Sequence, residues 1–360
     1  MVPTDIEKTI KFEPSSSSLP QLLSESGYDT AAFISSNPNL IHYRNHFDTS
    51  WDGTGRSGFT DTGPFGEWLE RGNRLLRLKS KLNASDSITR AKDWYQSRES
   101  PKFLWIHLME PHFPYFPGLR RGADVGLFDS YKASVKYFKH KDDKRSDHFT
   151  TRELETLRQL YDKCIDYLDE QLVNVLDIVE DDATLVFTAD HGEEFNHGLI
   201  GHNQLYDEVV CVPFIIESDS DFLESPDHIR QVNIVPSIAQ IAGIEHPASW
   251  EGVPITEDDD RVAVLGTTNY NIGAEGRASI GVRTADRKVI RHYDIESELS
   301  TGTEVYDVID DPTEQNNLLK ENEPGPEKLQ AVEEREEIVS FLSSLAQHQM
   351  GSVIWGLTAR

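Results

Sequence analysis

Three short apolar runs constrain the fold of this chain more than any other feature. Thr30–Ser35 (TAAFIS), Phe103–Leu108 (FLWIHL) and Thr184–Ala189 (TLVFTA) are each followed at once by polar or proline-containing sequence. Runs of this length, rich in β-branched and aromatic residues, read as buried strands. Helical spacing fills the stretches between them. Leu154, Leu157, Tyr161, Cys164, Leu168, Leu172 and Val175 recur every three or four residues. That stripe predicts a helix over 151–179 and turns Cys164 toward a core. Further helices are expected over 66–82, 85–98 and 231–242, the last stopping at Gly243, a good C-terminal cap residue. Strands alternating with helices predict an α/β fold: a central, mostly parallel sheet flanked by helices. Chemistry in open sheets of this kind sits beyond the C-terminal ends of the strands.

The texture changes near residue 260. Val262–Leu265, Ser279–Arg283, Lys288–Tyr293 and Glu304–Val308 are short strand-like runs separated by turn formers. They predict a small antiparallel subdomain. The expected organisation is an α/β domain over 1–259, a C-terminal subdomain over 260–322 and a helical tail over 323–360. The tail contains a charged amphipathic helix, 327–346, that is expected to cover a surface or form an oligomer contact.

The charge narrows the function. The chain has 35 Lys plus Arg against 62 Asp plus Glu, a net charge of −27. A carboxylate excess spread along the chain repels phosphate backbones and excludes an ordinary nucleic-acid binder. It fits a high-salt, halophilic host, where salt screens the self-repulsion. No run approaches the ~18 apolar residues of a membrane span. The first twelve residues lack the apolar core of a signal peptide, which points to the cytoplasm. Two cysteines cannot form a disulfide framework.

Two constellations carry chemistry. The first is Thr188-Ala-Asp-His-Gly-Glu-Glu-Phe-Asn-His-Gly198, followed by Gly201-His-Asn-Gln-Leu-Tyr-Asp-Glu208. A strand delivers Asp190 and His191 to its edge, and Gly192 lets the backbone turn. A carboxylate and an imidazole at a strand end can both reach one divalent ion. Five acids and three histidines lie within Asp190–Glu208, each histidine beside a glycine, which favours a site over a capping Asp and a surface His. The second constellation is Phe103–Pro117 (FLWIHLMEPHFPYFP), where the strand is expected to end at Glu110 and prolines hold the loop bearing His112. His107 lies within the strand and reads as a core histidine.

These segments resemble the sulfatase family of the alkaline phosphatase superfamily. Leu19–Phe33 is similar to the family's "TLAExLxxxGYxTAAF". Phe103–Tyr115 is similar to "FLxxHxxxPHxPY", and Thr188–Glu208 to "TSDHGE…HG…GK/H…YxE". Val212–Ile216 resembles "VPLII", Asn233–Gly243 "DLxPTLLxLAG" and Val305–Leu318 "LYDLxxDPxExxNL". Six weak matches in family order over about residues 19–320 make a strong one.

The resemblance implies an alkaline-phosphatase-like fold and metal-dependent hydrolysis of a sulfate ester on a small molecule or saccharide. Asp190 and His191 correspond to a pair of divalent-metal ligands; Ca²⁺ is expected, with Mn²⁺ or Mg²⁺ as alternatives. His112 corresponds to the histidine that assists the leaving oxygen, and His202 to the Lys or His that contacts the sulfate group. His197 would stand behind them. Family members also carry an acidic metal-ligand pair and a C/S-x-P-x-R nucleophile, both upstream of "GYxTAAF", and neither is found in this chain. Cys211-Val-Pro213 has no following Arg and falls at the "VPLII" strand, where packing is expected. Three readings therefore stay open: the downstream part of a sulfatase; a non-catalytic remnant or anion-binding module; or another branch of the superfamily, a phosphodiesterase, phosphonate monoesterase or phosphoglycerol transferase. Arg120–Arg145 holds eight Lys or Arg directly after the His112 loop. It is either a solvated loop and helix or a basic insert that steers an anionic, polysaccharide substrate.

Overall fold

A computed structural model describes residues 18–35, 37–53, 84–99, 101–140, 145–180, 183–218, 229–250, 252–257, 263–269, 277–294 and 300–319. The helices expected over 66–82 and 327–346, and with the latter the tail and its oligomer contact, lie outside these residues.

The alternation of strands and helices gives the expected α/β architecture. Helix α1 (Leu19–Glu25) opens on a capping box between Ser18 and Gln21 and leads into β1 (Asp29–Ile34). Strand β1 lies between β2 (Thr49–Asp52) and β3 (Lys102–His107), parallel to both. Its central position explains why five of its six residues are buried. Helix α2 (Ala84–Gln96) sets Ala91 and Trp94 against Ala31 and Phe33. Strand β3 has one partner among the described residues and is only half-buried throughout. Parallel neighbours with matched registers carry their C-terminal ends to one edge, with Ile34 opposite His107.

The run Thr184–Ala189 behaves differently from expectation. Its strand β4 (Leu185–Thr188) pairs antiparallel with β5 (Phe214–Glu217) in a separate ribbon. The loop between them folds back on itself, so β5 returns against β4, and a two-stranded ribbon leaves its residues half-buried or exposed.

Helix α3 (Leu127–Lys139) crosses helix α4 (Thr151–Leu176). The buried face of α4 is rotated from the apolar stripe: Glu153, Thr156, Leu157, Leu160, Cys164 and Tyr167 are inside. Glu153 is drawn in because it closes a capping box with Thr150 and pairs with Lys132 and Lys136 of α3. Cys164 is buried, as its place on the stripe predicts. Helix α5 (Ile234–Ile241) follows a 3-10 turn at Gln231–Asn233 and gives way at Gly243, whose φ of 69° suits glycine.

The C-terminal strands are longer than the sequence runs suggested. They form an antiparallel meander, β6 (Ala263–Asn269), β7 (Arg277–Arg283), β8 (Arg287–Asp294) and β9 (Ser300–Asp307). One face packs Val282, Val289 and Val305 against Leu318 and Leu319. The other packs Ile290, Tyr306 and Val308 against Leu205 and Tyr206. The sheet therefore leans directly on the segment that follows His202. No helix among the described residues is long and apolar enough to cross a membrane.

Candidate active site

Two strand ends and two loops build the site. Strand β3 stops at His107, three residues earlier than the sequence suggested, because Glu110 is recruited elsewhere. Its buried carboxylate accepts the N–H groups of Ala84 (2.5 Å) and Met109 (3.1 Å). An acid at the first N–H of α2 is stabilised there by the helix end. His107 is the expected core histidine. Its Nε2 lies 3.1 Å from the Asn37 amide nitrogen and accepts from it. Burial lowers its pKa, against the opposing pull of Asp190. The charge of Asp190, just beyond β4, is thus felt at the end of β3.

At the end of β4 the backbone turns at Gly192, whose N–H donates to Val209 O at 2.7 Å. A Cβ at Gly192 would collide with the Glu208 carbonyl. Glycine is needed here for close approach of two backbones. The turn presents Asp190 and His191 side by side. Gln231 holds the turn from behind, donating from Nε2 to Ala189 O (2.7 Å) and Asp190 O (3.2 Å). Asp190 Oδ1 accepts the His191 N–H at 3.0 Å.

His191 has the form that suits a metal. Its Nδ1–H donates to Gly192 O at 2.8 Å, and its Nε2 stands 3.7 Å from Asp190 Oδ2. Burial, with the neighbouring His202, lowers its pKa and keeps the ring neutral. A neutral imidazole with one nitrogen spent on a carbonyl offers the other to a cation. The Asp190 carboxylate and the His191 Nε2 are thus donors of a chemistry that fits a divalent ion.

The other two expected residues join them. The His191 and His202 rings stack with centroids 4.0 Å apart, and His202 lies 6.1 Å from His112. His112 is set by its own loop, its Nδ1–H donating to Phe113 O at 2.7 Å. The Phe113–Pro114 peptide is cis. His202 Nδ1 lies 3.6 Å from Oε2 of Glu193, a buried carboxylate under the aromatic cluster of Tyr115, Tyr137 and Tyr161. All four residues read from the sequence converge. Glu193 and Gln231 were missed: an acid among five acids, and a glutamine before a helix, carry no distinguishing pattern.

His197 stands apart, in a latch. Its Nδ1–H donates to Glu208 (2.8 Å) and its Nε2–H to Thr313 O (3.0 Å). Burial opposes its charge, but the Glu208 hydrogen bond and the Glu194 and Glu208 charges raise its pKa overall. Burial pushes Glu194 up to about 8, although Gln204 donates to both of its oxygens. Glu194, His197 and Glu208 place their ligand atoms within 4.8 Å of one another. Both nitrogens of His197 are spent on protein acceptors, so this trio closes the loop upon itself. Lys288 supports the same loop from the C-terminal sheet. It is fully buried, contacts Asp207, meets Glu314 at 2.8 Å and donates to Leu205 O at 2.9 Å.

One expectation needs revision. Cys211 does not pack within a strand. It follows the helical turn Asp207–Val210, precedes β5 and is exposed. The basic insert is partly neutralised: Lys132 and Lys136 share Glu153, Arg121 pairs with Glu170, and Arg145 with Asp147.

The loops beyond the parallel strand β3 and beyond β4 of the antiparallel ribbon bring Asp190, His191, His112 and His202 together, with the antiparallel C-terminal sheet supporting the second loop. The chain belongs to the sulfatase family, whose sequence profile matches residues 3–244. Two solved structures share the fold. One was determined in complex with its substrate D-glucosamine-2-N,6-O-disulfate; it is 18% identical, with a TM-score of 0.60 over 93% of this chain and 83% of the other. The second, from Bacteroides thetaiotaomicron, was determined in connection with the metabolism of multiple glycosaminoglycans; it is 15% identical, with a TM-score of 0.57 over 88% and 74%. No curated protein sequence matches the chain.

Proposed function

We propose that this protein acts on sulfate esters of small molecules or saccharides in a metal-dependent manner. The observation that carries the reading is the convergence of Asp190, His191, His202 and His112 in the loops beyond β3 and β4, with centroid separations of 4.0 and 6.1 Å along the three histidines. The family uses divalent metals, and the neighbour solved with a disulfated glucosamine acts on a sulfated sugar.

Each residue has a role in this reading. Asp190 and neutral His191 hold the cation, Ca²⁺ as the family resemblance implies, with Mn²⁺ or Mg²⁺ as the alternatives. The ion, when bound, polarises the ester oxygens. His202 lies against His191 and within reach of the Glu193 carboxylate, so a proton on its ring can neutralise charge on the sulfate oxygens. His112, fixed through Phe113 O, keeps its far nitrogen for the leaving oxygen. These four residues bind and handle protons; none is an activated nucleophile, so turnover draws its nucleophile from elsewhere.

The test is a calcium titration of the purified protein and of Asp190→Asn and His191→Ala, followed by thermal melting. Stabilisation by Ca²⁺ that both variants lose is expected. Equal stabilisation in all three removes the metal assignment. Hydrolysis is then followed with an aryl sulfate and an aryl phosphodiester. Sulfate release abolished by His112→Ala supports the reading; turnover of the phosphodiester alone assigns the chain to another branch of the superfamily. Binding of sulfate esters without release leaves an anion-binding module.

A further inference from the structure

Helix α3 has two apolar faces. Ala133 and Tyr137 are buried on one. Leu127, Phe128, Tyr131, Val135 and Phe138 face outward, with Phe128 77% and Tyr131 64% exposed. On a helix of 100° per residue these five fall within one arc of about 100°, and Lys132 and Lys139 border it. A contiguous exposed apolar patch on a soluble protein marks a place where something binds.

Two observations say what. The first is continuity with the site. Phe138 packs edge-on against Phe113 (centroids 4.9 Å), and Tyr137 stacks on Phe113 at 3.8 Å. Phe113 also holds the His112 ring. The outer face of α3 therefore begins at the His112 loop and runs away from it for about 20 Å. The second is charge. Arg120–Arg145 carries eight Lys or Arg against four Asp in a chain of net charge −27. Glu153 offsets part of the Lys132–Lys136 pair, while Arg120 and Lys139 are solvent-exposed.

The geometry points to the outer face of α3 as a platform for a sulfated polysaccharide whose terminal unit enters the site. This rests on the sulfate-ester reading and adds the polymeric substrate class to it. The apolar C–H faces of pyranose rings lie flat on exposed aromatic rings such as Phe128 and Tyr131. The sulfates meet Lys139, Lys132 and Arg120. Such contacts are salt-sensitive, and the remaining acidic surface repels the polyanion elsewhere.

Binding, which needs no turnover, is the test. Affinity for heparin and for a desulfated heparin is measured across a salt series with the full chain, Phe128→Ala/Tyr131→Ala and Lys139→Glu. The two aromatic residues are mostly exposed, so both variants are expected to melt with the wild type. The aromatic pair should weaken heparin binding roughly tenfold, two stacked rings at about 0.7 kcal/mol each. Lys139→Glu should weaken it and flatten its salt dependence. Hydrolysis of a small aryl sulfate should be unchanged in both. Heparin affinity unchanged in both variants overturns the platform, whether or not the aryl sulfate is hydrolysed. Loss of self-association or of binding to anionic lipid vesicles, with heparin affinity intact, assigns the face to a second copy or a membrane and also overturns it. Absent sulfatase activity with heparin binding lost in both variants sinks the sulfate-ester reaction and keeps the platform.

Discussion

Lys288→Met probes the tie between the C-terminal sheet and the site loop. The ammonium of Lys288 is fully buried between Asp207, Glu314 and Leu205 O. Methionine fills most of the stem's volume, so the cost is electrostatic and not a cavity. Asp207 keeps Arg283, 3.1 Å away. Glu314, also buried, keeps the Asp207 N–H but no other cation among the described residues. Burial raises the pKa of Glu314 even with Lys288 beside it. Breaking a buried pair from one side costs about 3–5 kcal/mol, and the Arg283 contact puts this case near 3. For a chain of 360 residues that lowers Tm by about 4 °C. The measurement is urea and thermal unfolding of wild type, Lys288→Met, Glu314→Gln and the double variant. The double variant is expected to recover part of the loss, because the orphaned carboxylate is gone. A loss below about 1 kcal/mol in Lys288→Met, or strict additivity in the cycle, would refute the buried pair.

Three further outcomes follow from the same structure. Gly192→Ala should destabilise the chain or displace the 190–209 segment, weakening Ca²⁺ binding as read by titration, since its Cβ meets the Glu208 carbonyl. Glu194 has a folded pKa raised to about 8 from 4.5. Its stabilising effect is full below pH ~4.5 and is lost as pH rises toward 8, so Glu194→Gln should flatten the stability profile in that window, measured by unfolding at a pH series. Thr150→Ala removes the acceptor for the Glu153 N–H (3.3 Å) and should cost about 1 kcal/mol in chemical unfolding.

Legibility in the sequence followed the physics of burial. TAAFIS was plain because β1 is the central strand and apolar on both faces. Strand β2 (TSWD) carried no signal, since a four-residue strand, with one partner among the described residues, needs little apolar sequence. The period of α4 was correct, but its face was rotated because buried Glu153 and Thr156 are polar, and the apolar stripe could not register them. The site residues were legible as residue types at strand ends, but the antiparallel β4–β5 ribbon that carries Asp190 and His191 was not, because pairing partners leave no local pattern. Lys288 was not. A lysine in a strand reads as outward-facing, and only its two carboxylate partners, from segments 81 and 26 residues away, make it an interior residue.

The latch also sets an order of assembly. His197 and Asp207 find Thr313 and Glu314 more than 100 residues downstream. At about 5–20 residues per second the second half of that contact emerges roughly 5–20 s after the first. The loop carrying His202 therefore exists for that interval without its far anchor. That loop gains its full support only once the C-terminal sheet has docked, so late-made residues act as a checkpoint on the geometry around His202.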